Sequence, residues 1–142
     1  MLLFHLWVSI FILIKKANQQ FMLIGASSSL AISLKISFNG QMILQAKESA
    51  INILEYNGMA FEIKHSADFS PDTIKTIDLH PSGLYFLIAF HQNAVVSYSW
   101  NNPMFNSVSE FYPATTPVAI QIGYDPSRKI VSSSSGKVYD II

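Results

Sequence analysis

From Ala31 onward the chain is a succession of short apolar runs separated by turn-forming residues. Ile32, Leu34, Ile36 and Phe38 fall on one side of the run from Ala31 to Phe38, and a period of two predicts a strand with one buried face. Asn39-Gly40 follows, a hairpin signal because both residues tolerate the positive φ of a type I′ turn. Met42-Ile43-Leu44 reads as a second strand, Lys47-Glu48-Ser49 as a turn and Ile51 to Leu54 as a third strand. Asn57-Gly58 turns again, and Phe61 and Ile63 flank Glu62 in an outer strand. Read alone, Ala50, Ile51, Ile53 and Leu54 also fit one face of a helix capped by Ser49 and stopped at Gly58.

That pattern recurs, and the recurrence decides for the strand. Leu34 to Gly40 returns 43 residues later as Ile77 to Gly83, and again 45 after that as Ile122 to Arg128. In the second copy Pro81 presets the turn and Gly83 supplies the permissive position. Leu84 to Phe90 is continuously apolar, as suits a strand buried on both faces. Ala94 to Trp100, level with the ambiguous segment, is rich in β-branched and aromatic residues, which favour strands. Asn101-Asn102-Pro103 breaks it, Phe105 to Phe111 forms the outer strand, and Pro113 to Pro117 bracket the next connection. In the third copy Val118, Ile120 and Ile122 alternate, Asp125-Pro126-Ser127 turns, Lys129 to Ser132 pairs back, and Val138 to Ile142 makes the last strand. A period of this length marks the four-stranded blade of a β-propeller. The reading is an all-β chain of about three such blades, 30–70, 73–115 and 117–142, the last incomplete. Closed propellers use about 4 to 8 blades, so three predict a partial ring, a piece of a longer protein or one completed by another chain.

Residues 1–25 form an apolar N-terminal segment. Leu2 to Ile14 is too short for a spanning helix, which needs roughly 20 apolar residues, and lacks the basic start of a signal peptide. Three readings stay open: strands of a partial blade (Val8 to Ile14 and Phe21 to Gly25), a targeting or anchoring segment, or an arbitrary start.

Composition narrows the function more than it names it. Only 13% of the residues are charged while half are hydrophobic, against roughly 25% charged in ordinary domains, so part of the surface is expected to meet another protein, missing parts of the same chain or, over a short element, a membrane. Nine basic residues balance nine acidic ones without a basic block, which argues against nucleic acid. The absence of cysteine removes disulfides, thiolate zinc sites and thiol catalysis, and together with the lack of an Asn-x-Ser/Thr sequon points to an intracellular, cytoplasmic chain.

No chemistry-bearing constellation emerges. Gly25-Ala26-Ser27-Ser28-Ser29 approaches a nucleophile elbow, but Ser29 replaces its final glycine and no helix follows. Ser132 to Ser135 reads as a strand end and turn. His5, His65, His80 and His91 share no metal spacing; His80 and His91 belong to their turns. Asp68 and Asp72 read as solvated loop charges, and Asp78, between apolar neighbours, is expected to face outward or cap a turn. The expectation is no catalytic, cofactor or metal residues, and aromatic residues that serve the core.

The segment Ile77-Asp78-Leu79-His80-Pro81-Ser82-Gly83-Leu84-Tyr85 followed by Val95 to Ser99 resembles a WD40 repeat. So does the third copy, whose Tyr139-Asp140 stands where that family carries Trp-Asp, with Tyr98-Ser99 and Leu54-Glu55 as counterparts. The repeat positions carried by the likeness are Gly40, Gly83, Pro81, Pro126, Tyr98, Tyr139 and Asp140. The stretch from Thr73 to Phe90, through its Leu-His-Pro-Ser-Gly-Leu-Tyr segment, resembles, more narrowly, repeats of the large WD40 proteins of cilia and flagella. The chain departs from the family where an Asp is usual between the second and third strands; Glu48, Gln92 and one of Ser133 to Ser135 stand there, and the nearest upstream His, His65, is too distant. Phe69-Ser70-Pro71-Asp72 mimics a family turn but precedes its strand. The resemblance implies a non-catalytic scaffold with protein partners, in an axonemal or microtubule-associated complex. The alternative is a membrane-anchored or exported β-rich binding domain targeted by residues 2–14.

Overall fold

The computed structural model describes residues 31–141 and, before them, the strands Ser9–Lys15 and Gln20–Ser27. The strands are β1 (Ser9–Lys15), β2 (Gln20–Ser27), β3 (Ser33–Ile36), β4 (Met42–Ala46), β5 (Ala50–Tyr56), β6 (Phe61–Asp68), β7 (Ile74–Leu79), β8 (Tyr85–Phe90), β9 (Val95–Asn101), β10 (Met104–Phe111), β11 (Pro117–Ile122), β12 (Lys129–Ser133) and β13 (Val138–Ile141). Strands β1 and β2 pair antiparallel. The rest form three antiparallel sheets: β3-β4-β5-β6 (blade 1), β7-β8-β9-β10 (blade 2) and β11-β12-β13 (blade 3). Neither helix nor irregular loop replaces a strand in any blade, so the helical alternative for Ala50 to Leu54 fails. The apolar start of the chain is a strand from Ser9 to Lys15; the expectations for Leu2 to Val8 lie outside the described residues. Gly25 to Ser27 continue β2, so no sharp strand-to-helix turn occurs there, while Ser28 and Ser29 lie outside the described residues.

Pairing register sets the true period. The first hairpins pair Ile36 with Ile43, Leu79 with Phe86 and Ile122 with Lys129, so all three copies repeat at 43 residues. The third copy is therefore two residues out of step with the spacing of 45 read from Asp125-Pro126-Ser127. Tyr124, not Pro126, stands level with Pro81, and Pro126 stands level with Gly83. Six residues lie between the paired positions of each hairpin, and the motif slides among them without disturbing the strands.

The first hairpin differs from expectation in its turn. Gly40 has a φ of 72°, but Asn39 is not left-handed, so the turn is not type I′. The Asn39 side-chain oxygen accepts hydrogen bonds from Ser37 Oγ (2.8 Å) and the Gln41 N–H (3.0 Å), and the Gly40 N–H closes back on the Ser37 carbonyl (3.0 Å). Gly83, at φ 77°, closes on His80 in the same way.

The core lies between sheets, not within one. Leu44, Ala46, Ile51 and Ile53 of blade 1 meet Ile77, Phe86, Ile88, Phe90, Val96, Tyr98 and Trp100 of blade 2 in one buried cluster. Phe86, Tyr98 and Phe105 stack with centroids 5.0–6.0 Å apart, and His65 stacks on Phe105 at 4.5 Å. The junction of blades 2 and 3 is smaller: Ala89, Val95 and Val131, with Phe111, Ile120 and Ile141 around them. Such aromatic packing contributes beyond area burial by about 0.5–1.5 kcal/mol per pair.

Two tests follow from this packing. Phe86→Ala empties the centre of the first junction and should cost about 3–5 kcal/mol in urea unfolding. Gly83→Ala forces a side chain into a left-handed position, costing roughly 1–2 kcal/mol, and places Cβ 3.3 Å from Ser37 Cβ. Gly40→Ala meets nothing within 4 Å, so it should show the backbone cost alone and the smaller shift in midpoint.

Candidate interaction surface

The hairpins joining the first and second strands of the three blades sit side by side and are bonded to one another. The Phe38 N–H donates to the Pro81 carbonyl at 2.8 Å. Pro81 occupies the corresponding place in blade 2, and proline has no N–H to pass on to blade 3. The His80 imidazole supplies the missing donor, its Nε2 lying 2.6 Å from the Tyr124 carbonyl. Its Nδ1 faces the Ser82 N–H at 3.1 Å and so acts as acceptor, which leaves the proton on Nε2, where the carbonyl needs it. Side-chain chemistry thus replaces a lost backbone bond at the same point of the ring.

Asp78 makes the second tie. It is buried, and its Oδ2 accepts the Ile122 N–H at 2.7 Å. This corrects the expectation of an outward or turn-capping carboxylate. The Ile122 N–H belongs to the innermost strand of blade 3, whose far edge has no sheet neighbour. A carboxylate from the adjoining blade satisfies it, as a buried amide requires. Lys35 holds the equivalent place in blade 1 and Gln121 in blade 3, so the tie is particular to this junction.

The second turns carry polar links of their own. Gln92 Oε1 accepts the Thr73 N–H at 3.0 Å, joining the second turn of blade 2 to the approach to β7. The His91 N–H donates to the Thr73 carbonyl, and Ser134 repeats this with Thr116. Phe69 to Asp72 forms the connection between blades 1 and 2.

The repeat positions separate in space. Gly40, Gly83 and Pro81 lie in the first hairpins, joined by Pro126 one blade on. Tyr98 is buried in the first junction, and desolvation, with a smaller contribution from the Glu110 carboxylate, pushes its phenol up to about 12. By register, Ile141 and not Tyr139 stands level with Tyr98; Tyr139 stands level with Val96 and packs on Phe111 with centroids 5.0 Å apart. Asp140 pairs with Arg128 at the surface, and the pair holds the guanidinium above its ordinary value. Among the described residues no group of three or more His, Cys, Asp or Glu side chains is placed to hold a metal ion.

Two clefts flank the row of hairpins. One, about 180 Å³, separates the first hairpins of blades 1 and 2 and includes Asn39, Glu55, Ser82 and Trp100 in its walls. The other, about 420 Å³, lies between blades 2 and 3 against Tyr85, Ser97, Ser109, Asp125 and Lys129. Sequence reading did not find them, because each is built from residues of two repeats.

No protein-family model and no curated protein matches the sequence. Solved structures match the fold. Over 94% of this chain and 39% of that one, the fold is similar to Saccharomyces cerevisiae Sqt1 (TM-score 0.77, 12% identity). It is also similar to the C-terminal WD40 domain of Sif2 (TM-score 0.68, 10% identity, 93% of this chain and 45% of that one). A putative 6-phosphogluconolactonase of Bacteroides fragilis matches as well (TM-score 0.65, 14% identity, 89% and 44%). The chain spans less than half the length of these proteins, and its fold is that part of a β-propeller.

Removing the tie at the second junction should be measurable. Asp78→Ala leaves the Ile122 N–H buried and unpaired, at a cost of about 1–3 kcal/mol in chemical unfolding, whereas Asp78→Asn keeps an acceptor and should cost less. Tyr98 provides a pH test. Its folded pKa lies above the unfolded value of 10, so stability is intact below pH 10 and falls as pH rises through about 12. Tyr98→Phe should flatten that alkaline decline in a series of unfolding curves.

Proposed function

We propose that the chain is part of a larger WD40 propeller that serves as a non-catalytic protein-interaction scaffold. The observation that supports this most directly is the contrast between equivalent positions. Leu44 and Leu87 are buried, but Ile130, their counterpart in blade 3, is 39% exposed. Ile51 and Val95 are buried, but Val138 is 67% exposed. At the other end Ile77 and Leu79 are buried against blade 1, while Leu34 and Ile36 of blade 1 are exposed. Both outer faces of the stack thus carry the apolar pattern that the inner faces use to bind a neighbouring blade. Stacked repeats are stable by burying such faces against one another.

The propeller fold alone does not separate a scaffold from an enzyme, as the lactonase likeness illustrates. The scaffold reading rests on the side chains. The conspicuous buried polar groups, Asp78 and His80, are engaged in bonds between blades. The resemblance of Leu79 to Tyr85 to repeats of ciliary and flagellar WD40 proteins supports a place in an axonemal complex. In the described residues no helix is long and apolar enough to cross a membrane.

Tagged protein expressed in a ciliated cell should remain with detergent-extracted axonemes and yield chemical cross-links to other axonemal proteins through blade-rim lysines. Recovery in the soluble cytosol without cross-links overturns both the axonemal placement and the scaffold. Recovery in the cytosol with reproducible cross-links overturns the placement only.

A further inference from the structure

Two aromatic side chains and a proline occupy one position of three successive hairpins: Phe38, Pro81 and Tyr124. Phe38 is 91% exposed, Tyr124 is 93% exposed, and Pro81 is exposed between them. The two hydrogen bonds between hairpins run through these same residues, ending on the carbonyls of Pro81 and Tyr124. The row is therefore an apolar ridge on a fixed backbone. The backbone has little freedom left to lose there on binding, which is the advantage of a preorganised surface.

The cleft beside the ridge has a distinct chemistry. Of the side chains in its walls, Glu55 is the one that carries charge, surrounded by neutral polar groups such as Asn39, Gln41 and Asn101. The Glu55 carboxylate accepts one hydrogen bond, from Asn102 Nδ2 at 3.1 Å, across the two blades. A carboxylate has further acceptor sites, so it can still receive a cation. Trp100 also lines the cleft, and its indole N–H is buried with no acceptor in the structure. At 180 Å³ the cleft has room for a side-chain head group, on the order of six waters at ~30 Å³ each.

We infer that this rim binds an extended peptide segment of a protein partner, with proline or other apolar side chains laid on Phe38, Pro81 and Tyr124 and a neighbouring Arg or Lys reaching Glu55. The inference rests on the scaffold reading and names the surface and ligand class for it. An extended segment suits the site because the ridge is a row, not a pit. Prolines favour such a segment, since a preformed extended helix docks on aromatic surfaces at low entropic cost. The positive charge follows from the lone carboxylate in an otherwise neutral cleft.

The test uses the full 142-residue chain and a display library of random dodecapeptides, followed by fluorescence-anisotropy titration of the selected peptides. Selected sequences should carry Arg or Lys close to proline or aromatic residues. The double variant Phe38→Ser, Tyr124→Ser should weaken binding at least tenfold with unchanged thermal unfolding, since both side chains project into solvent. Glu55→Gln keeps an acceptor for Asn102 and removes the charge, and should weaken basic peptides several-fold. Glu55→Arg should bind the Arg→Glu version of a selected peptide better than the original, a reversal that a purely structural role does not produce. Acidic selected sequences, or binding insensitive to all these substitutions, overturn the inference and leave the scaffold reading standing. Failure to select any peptide overturns it too, and the cross-linking experiment then decides the scaffold reading separately.

Discussion

The structure depends on one constraint: a blade's faces become buried only when another blade covers them. Within a sheet neighbouring strands satisfy one another's backbone groups, but the side chains of Leu44 or Phe86 have no place to hide on their own strand. The blades are held by contact across the gap between sheets, where Leu44, Ile51 and Ile53 meet Phe86, Tyr98 and Trp100. Leu34, Ile36, Ile130 and Val138, at the two ends of the stack, lie outside these contacts and stay exposed.

The two junctions meet this requirement differently. Between blades 1 and 2 a large aromatic cluster suffices, and the hairpin tips add a backbone bond from Phe38 to Pro81. Between blades 2 and 3 the apolar cluster is small, and side-chain hydrogen bonds carry more of the join. Asp78 reaches the exposed edge of β11, and His80 replaces the donor that Pro81 lacks. A net hydrogen bond contributes only about 0.5–1.5 kcal/mol, but leaving a buried group unpaired costs more. These polar ties therefore specify how the third blade sits as much as they stabilise it.

The same bonds fix the surface. Hydrogen bonds at the backbones of Phe38, Pro81 and Tyr124 hold the three hairpin positions in a row. Their exposure contrasts with the burial of nearly every large apolar side chain on β8. This exposed ridge, with the cleft and its one carboxylate beside it, is the surface proposed above to receive a peptide.

Alternation and turn residues were enough to define the all-β character, the strands and the recurrence, because these reflect local geometry written into neighbouring residues. Ile77 and Leu79 announce a half-buried strand, and Pro81 and Gly83 a turn, without reference to distant residues. Register within the third copy was not legible, since a six-residue connection accepts Asp125-Pro126-Ser127 two places along without changing which strands pair. The type I′ reading of Asn39-Gly40 failed because the Asn39 side chain bonds to Ser37 and Gln41 and stabilises another turn. Nor could the roles of Asp78 and His80 be read: their partners, Ile122 and Tyr124, lie 44 residues away. Strands and period are local properties and belong to the sequence. Which polar groups are satisfied, and which apolar groups are left in the open, depends on contacts between repeats, and only the stacked structure decides it.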